Sequence, residues 1–413
     1  MISKNYREKC VNTNNSPIIN MKNFIPFALP QIDDAEIDEV VDTLRSGWLT
    51  TGQKTTRFER DFSEFIGVNY ALAVNSATAG LHLALEAIGV RRGDKVITTT
   101  YTFTATAEVI RYLGADPILV DIDPKTFNID PEKIREIAKI HKDVKAIIPV
   151  HFAGQACDMT ALKEIADENN WKIIEDAAHA LPTTWQGKTI GTLSDITVYS
   201  FYATKTISTG EGGMIVSNNN DYIERMKVMR LHGINRDVFD RYTSDQPSWF
   251  YEVVEPGYKY NMTDVAASLG IQQLKKAWDF QKRREAIAMQ YNEAFSDLAL
   301  RLPYVSQLED THAWHLYVLQ LGVEPIENTS GEERNRFIKQ MLKEGVGTSV
   351  HFIPLHLHPY WKNRYGYKED DYPIALNVFH HAVSLPIYPK MTDHDVSCVI
   401  EAVRKNSDIN NRL

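Results

Sequence analysis

Residues 70–122 read YALAVNSATAGLHLALEAIGVRRGDKVITTTYTFTATAEVIRYLGADPILVDI, and this stretch decides the fold class. Tyr70–Val74 is a short apolar run. A patch of small residues, Asn75–Gly80, leads from it into LHLALEAIGV, which has helical character. KVITTT then reads as a strand, FTATAEVIRYLG as a helix and PILVDI as a strand again. The alternation continues outward on both sides. Upstream, DDAEIDEVVDTLRSG places apolar residues at helical spacing, with aspartates to cap its start and Gly47 past its end. Downstream come KIREIAKIH (helix), KAIIPVH (strand), MTALKEIADEN (helix) and WKIIED (strand). Strand–helix alternation implies right-handed crossovers and an α/β fold, a mainly parallel central sheet covered on both faces. The rhythm then changes. ITVYSFY (196–202) and GGMIVSN (212–218) leave little room for a helix between them, which predicts an antiparallel edge. A long helical segment from Thr263 leads to a second unit, with a strand HLYVLQL, a helix GEERNRFIKQMLKEG, a strand GTSVHF and a final helix HDVSCVIEAVRK. The expected organisation is a polar arm over 1–22, a large domain over 23–265 and a smaller C-terminal α+β domain over 266–413.

Composition narrows the function. Of 413 residues, 43% are hydrophobic and 24% charged, as in an ordinary globular chain. The net charge of -9 disfavours a nucleic-acid partner, which calls for clustered Lys and Arg. The three cysteines, Cys10, Cys157 and Cys398, offer neither a disulfide framework nor zinc spacing, so a reducing, cytoplasmic setting is expected. No apolar run is long enough for a membrane span, and the Asn-rich N-terminus lacks the apolar core of a secretory signal.

Four elements carry chemistry. Lys205 lies in SFYATKTISTGEGG (Ser200–Gly213), between an apolar strand and a glycine-rich turn, a poor place for a merely solvating charge. A lysine there can serve as a Schiff-base nucleophile once burial or a nearby cation lowers its pKa. Asp176 ends the strand WKIIED, where open α/β sheets bind their ligands. It could pair with a protonated pyridine nitrogen, or it could simply cap a helix. In NSATAGL the amides of Ala77 and Thr78 would point off a helix N-terminus, a setting that suits phosphate, and the Ser200 hydroxyl could join them. The stretch matches neither a Walker A loop nor a dinucleotide fingerprint. In TTTYTFTAT either Tyr101 or Phe103 could stack on a flat ring, or pack in the core.

Together these segments, with SGWLTTG (46–52), PVHFAGQ (149–155), EDAAHA (175–180) and GYKYNMTD (257–264), resemble the DegT/DnrJ/EryC1/StrS family of sugar aminotransferases, over nearly the whole chain. The resemblance implies an aspartate-aminotransferase-like (type I) fold and pyridoxal 5'-phosphate (PLP) as cofactor. Lys205 would hold PLP as an internal aldimine, and Asp176 would pair with its ring nitrogen. His179 would lie near the ring hydroxyl, with Phe103 rather than Tyr101 over the ring. Ser200, Ala77 and Thr78 would hold the phosphate. The segment matching GYKYN reaches, in the family, to the neighbouring subunit's phosphate in a homodimer. Many members carry Asn where this chain has Lys259 and Arg where it has Asn261, which leaves open which of the two makes that contact. Trp48, Thr50, His351 and His356 are the substrate-side candidates; for the two histidines a structural place in the loop is an equal alternative. No metal site is expected, since HFIPLHLH has no acid at ligand-like spacing. The implied reaction takes an amino group from L-glutamate to a nucleotide-linked keto-sugar. Alternatives are a cyclitol transaminase and a non-catalytic PLP-binding regulator. A sugar dehydratase of the family would carry histidine at position 205.

Overall fold

The structure is a computed structural model that describes residues 24–141, 143–235, 250–305, 310–322 and 331–407. The expected N-terminal arm lies outside them. Nine strands and seven helices form the first part: α1 (Asp34–Ser46), α2 (Gln53–Ile66), β1 (Tyr70–Val74), α3 (Ala77–Ala87), β2 (Lys95–Thr99), α4 (Ala105–Tyr112), β3 (Asp116–Val120), α5 (Pro131–Ile140), β4 (Val144–Ile148), α6 (Met159–Asn169), β5 (Lys172–Asp176), the short hairpin β6 (Thr184–Trp185) and β7 (Lys188–Thr189), β8 (Ile196–Ser200), β9 (Gly213–Ser217) and α7 (Asn220–Met229). Seven of the strands make one sheet in the order β1-β9-β8-β5-β4-β2-β3. All neighbouring pairs from β8 through β5, β4 and β2 to β3 are parallel. Their C-terminal ends therefore share one edge, where the loops that carry Asp176 and Thr100–Phe103 emerge. The α/β architecture is thus the expected one.

The antiparallel edge is present, but the strand that creates it lies one place in from the border, which β1 forms. β9 lies inside the sheet, antiparallel to β8 on one side and to β1 on the other. The turn between β8 and β9 closes on itself, with Phe201 N–H donating to Gly212 O at 2.9 Å and Thr209 N–H to Phe201 O at 2.9 Å. β1, about 140 residues earlier in the chain, then covers the outer side of β9. That long-range pairing has no local signature in the sequence. Gly213 is required where β9 begins, because a Cβ there would stand 2.8 Å from Ala77 N, at the start of α3.

Two apolar layers cover the sheet. One includes Phe58, Phe62, Tyr199, Phe201 and Ile271; the other, Leu72, Leu83, Val109, Ile148 and Val198. A separate core, with Tyr291, Phe295, Tyr317, Phe337, Val383 and Val399, belongs to the C-terminal part. There β10 (Leu300–Arg301), β11 (Tyr317–Leu321) and β12 (Ala382–Leu385) form a three-stranded antiparallel sheet. The helix Asp264–Lys275 buries Ala267, Ile271 and Leu274 in the first core, and the next helix, Ala277–Phe295, runs from one core into the other: Ala277 and Phe280 join the first, Ile287 and Tyr291 the second. Ile25 also packs in the C-terminal core. The cores thus part inside a helix some way beyond residue 265. The expected strand GTSVHF is a correction. Only Ser349 bridges to the sheet, exchanging backbone bonds with Ser384 of β12 at 3.1 and 2.8 Å. The freed residues 350–352 face a cavity instead. Among the described residues no helix is long and apolar enough to cross a membrane.

Candidate active site

The cavity, of about 720 Å³, opens at the C-terminal edge of the parallel strands, between the two cores. Lys205, Asp176, His179, Ser200, Ala77, Thr78, Phe103 and His351 all line it. Each is placed by its element. Asp176 is the last residue of β5 and Ser200 the last of β8, so parallel pairing sets both at one level, Asp176 opposite Val198. Lys205 follows in a tight turn, with its N–H on Tyr202 O at 2.9 Å.

Asp176 is buried, and its carboxylate is held from two sides. Thr106 Oγ1 donates to Oδ2 at 2.8 Å and Ala178 N–H to Oδ1 at 3.2 Å. Thr102 Oγ1 lies 2.9 Å from Thr106 Oγ1 and extends the chain. Burial pushes the Asp176 carboxyl above the usual carboxylate range; the two donors and Lys205 pull it back. Burial lowers the Lys205 amine to about 8, against the pull of Asp176, so an uncharged amine is within reach near neutral pH. Beneath Asp176, Glu175 is fully buried and accepts from His151 Nε2 at 2.8 Å, Ser194 Oγ at 2.6 Å and Thr197 Oγ1 at 2.8 Å. This anchor fixes the end of β5 from below.

His179 Nδ1 accepts the Ala153 N–H at 3.3 Å, which leaves the proton on Nε2. Burial and the nearby Lys205 hold it far below the usual histidine range, so the ring is neutral. At the start of α3 the Ser76 hydroxyl accepts from Ala79 N at 3.1 Å. The Ala77 and Thr78 amides, in the first turn, have no intrahelical acceptor and face the cavity. The two aromatic candidates separate cleanly. Tyr101 is fully buried and donates to His351 O at 2.6 Å, whereas Phe103 is 62% exposed on the cavity wall.

Five expected residues stand elsewhere. His356 is a correction: it is fully buried, with Nδ1 2.9 Å from Thr100 Oγ1 and Nε2 3.0 Å from Glu369 O, and it braces a loop rather than facing the cavity. Trp48, Thr50, Lys259 and Asn261 do not line this chain's cavity but meet in a neighbouring unit. Trp48 Nε1 donates to Thr51 O at 3.1 Å, and Thr50 O accepts from Asp264 N at 3.2 Å. Asn261 Nδ2 donates to Thr51 Oγ1 and Lys259 Nζ to Asn261 Oδ1, both at 2.6 Å. Asp264 closes the unit by capping α2, accepting from Gly52 N at 2.8 Å and Thr55 N at 2.9 Å. The sequence reading missed Thr106 and His315, both on the cavity wall. The only signal for Thr106 was its place three residues after Phe103. Among the described residues no group of three His, Cys, Asp or Glu side chains could hold a metal ion.

The model of the DegT/DnrJ/EryC1/StrS aminotransferase family matches residues 30–404. The chain belongs to this family. It is 50% identical over 384 residues to the uncharacterized protein MJ1066 of Methanocaldococcus jannaschii (93% of this chain, 98% of that one). It is 48% identical over 383 residues to the spore coat polysaccharide biosynthesis protein SpsC of Bacillus subtilis (92% and 96%). Among solved structures it resembles the putative sugar aminotransferase Spr1654 of Streptococcus pneumoniae in its PMP form, with a TM-score of 0.86 and 36% identity over 93% of this chain and 99% of that one. The chain is accordingly a PLP-dependent aminotransferase of a family that acts on sugars. The site fits the cofactor. It offers a partly buried amine, a buried carboxylate, two free helix-terminal amides, an exposed phenyl face and no room for a side chain at Gly213 beside those amides.

Proposed function

We propose that this enzyme moves the amino group of L-glutamate to the ketone of a nucleotide-linked hexose, in two half-reactions that share one cavity. The observation that carries the reading is the convergence of Lys205, Asp176 and the first amides of α3 on that cavity. Bound PLP would supply an aldehyde for amines and a ring able to take up an electron pair. The chain does the rest. Lys205 Nζ, lowered to about 8, would take the proton from the donor's Cα and hand it to the cofactor's aldehyde carbon in the first half-reaction, and in the second would carry a proton the opposite way, to the acceptor carbon. Asp176, held in place by donors from Thr106 and Ala178, would accept the N–H of the ring nitrogen. The Ala77 and Thr78 amides and the Ser200 hydroxyl would hold the phosphate. His179 would offer its Nε2–H to the ring oxygen, Phe103 would lie over the ring, and His351 would face the substrate.

We assign Trp48, Thr50, Lys259 and Asn261 to the cavity of a second copy in a homodimer. What supports this is that they form one hydrogen-bonded unit outside their own chain's cavity. Cytoplasmic placement is favoured by the unpaired thiols of Cys157 and Cys398. The sugar reading draws on the name of the Bacillus subtilis relative, a polysaccharide biosynthesis protein. The test is a panel of nucleotide-linked keto-sugars incubated with L-glutamate, with amino-sugar read by mass and 2-oxoglutarate by a coupled assay. Equal amounts of both products are expected. Amination of free cyclic ketones alone would overturn the nucleotide-sugar reading.

A further inference from the structure

His315 lies on the cavity wall although nothing in its local sequence marks it. Residues 313–316 are carried there by backbone bonds to the turn at Phe152–Gly154: Ala313 N–H donates to Gly154 O at 3.0 Å and Leu316 N–H to Ala153 O at 3.2 Å. The His315 ring packs against His179 with centroids 4.3 Å apart and the planes tilted by 42°. It is 6% exposed, its Nδ1 is fully buried, and neither ring nitrogen has a hydrogen-bond partner among the described residues. A buried imidazole with both nitrogens open is costly unless a ligand completes it.

The surroundings define the ligand's charge. Behind His315, Arg284 is a buried guanidinium with no carboxylate partner among the described residues. It donates only to carbonyls: Trp314 O and His315 O at 3.3 Å and Ile387 O at 2.5 Å. Lys205, His179 and His351 are the other groups within electrostatic range of the ring. The wall's two acids are otherwise placed. Asp176 is bound by Thr106 and Ala178, and Glu211 is exposed beside the turn that meets α3. An N–H donor in a pocket of positive field suits a carboxylate.

We propose that His315 is a substrate-binding residue that takes a carboxylate oxygen of the amino-acid donor, and that Arg284 is the buried cation that positions it. The proposal rests on the aminotransferase reading of this cavity but not on the identity of the donor, since every amino-acid donor carries a carboxylate. The test uses the cofactor-loaded enzyme with His315→Ala and His315→Gln. Binding of glutarate, a dicarboxylate that cannot react, is measured by calorimetry, and KM is measured separately for donor and acceptor. His315→Ala should weaken glutarate and raise the donor KM by about 10-fold to 100-fold, the range for one hydrogen bond to a charged group. The acceptor KM should stay unchanged, and His315→Gln, which keeps a donor, should recover most of the loss. A rise in the acceptor KM alone, or unchanged glutarate binding in both variants, would overturn the proposal. If the wild-type enzyme ignores L-glutamate but uses another amino acid, the donor named above falls. The His315 variants then decide this inference with that amino acid instead.

Discussion

The two walls of the cavity are built differently. The wall at the strand ends carries Asp176, Lys205, Ser200 and the start of α3, and its polar groups are largely set before any ligand arrives. Asp176 has two donors, Glu175 below it has three, and the α3 cap is filled by Ser76. The opposite wall comes from the C-terminal part, with His315, His351 and Phe352. There, among the described residues, His315 Nδ1 has no partner, while His351 Nδ1 lies 2.9 Å from Ser384 Oγ. The first wall suits a resident cofactor, whose atoms never change place. The second suits visitors that must leave after each half-reaction, because a fully satisfied polar wall has nothing to offer them.

That contrast can be broken at its strongest point first. Lys205→Ala should lower kcat by about four orders of magnitude or more, since it removes both nucleophile and proton carrier, and the absorption band of lysine-bound cofactor should vanish from the purified protein. Near-normal turnover would remove the strand-end wall from the chemistry altogether. Asp176→Asn keeps the shape but takes away the charge. We expect kcat to fall by about 100-fold to 1,000-fold, as when one electrostatic partner is deleted from an active site, with cofactor still bound through Lys205.

Thr106→Val tests whether the carboxylate's own partners matter. Losing one hydrogen bond to a charged group costs about 1.5–3 kcal/mol, so cofactor affinity or kcat should drop about 10-fold to 100-fold. The pH dependence sharpens the comparison further. The Lys205 amine is lowered to about 8 in the folded protein, so the uncharged form dominates above that pH. Capture of PLP by apoprotein should fall about tenfold per pH unit below 8 and level off above it, whereas an ordinary lysine would keep gaining to about 10.4. Continued increase past pH 9, followed by stopped-flow absorbance, would argue against burial as the cause. The smallest effect belongs to His356, outside both walls. His356→Leu should leave KM and kcat of the folded enzyme within about twofold, while thermal or denaturant unfolding shows a loss of about 1–3 kcal/mol from the orphaned Thr100 hydroxyl and Glu369 carbonyl.

These residues also show how far sequence reading reaches. Phe103 and Tyr101 are two positions apart, and the residues themselves left both open, the choice of Phe103 coming from the family resemblance. The structure separates them because Tyr101 turns into the core, where its hydroxyl finds His351 O. His351 and His356 looked equivalent in one loop, yet only His351 faces the cavity; a helical turn at Leu355–Leu357 turns His356 toward Thr100. The inward position of β9 was equally hidden, since its second partner, β1, is far away in the chain.

The sequence by itself determined the alternating α/β layers, the strand ends that carry Asp176 and Ser200, the turn that carries Lys205, and the helix start at Ala77 and Thr78. Each follows from local periodicity and from the rule that parallel strands end together. Only the tertiary structure decided that Thr106 grips Asp176, that His315 lies against His179, and that Lys259 and Asn261 join Thr51 instead of their own cavity. The reason is distance along the chain. These contacts join residues 70, 136 and about 210 positions apart, and no pattern within a short window specifies which of many chemically equal threonines, histidines or asparagines the packed cores bring together.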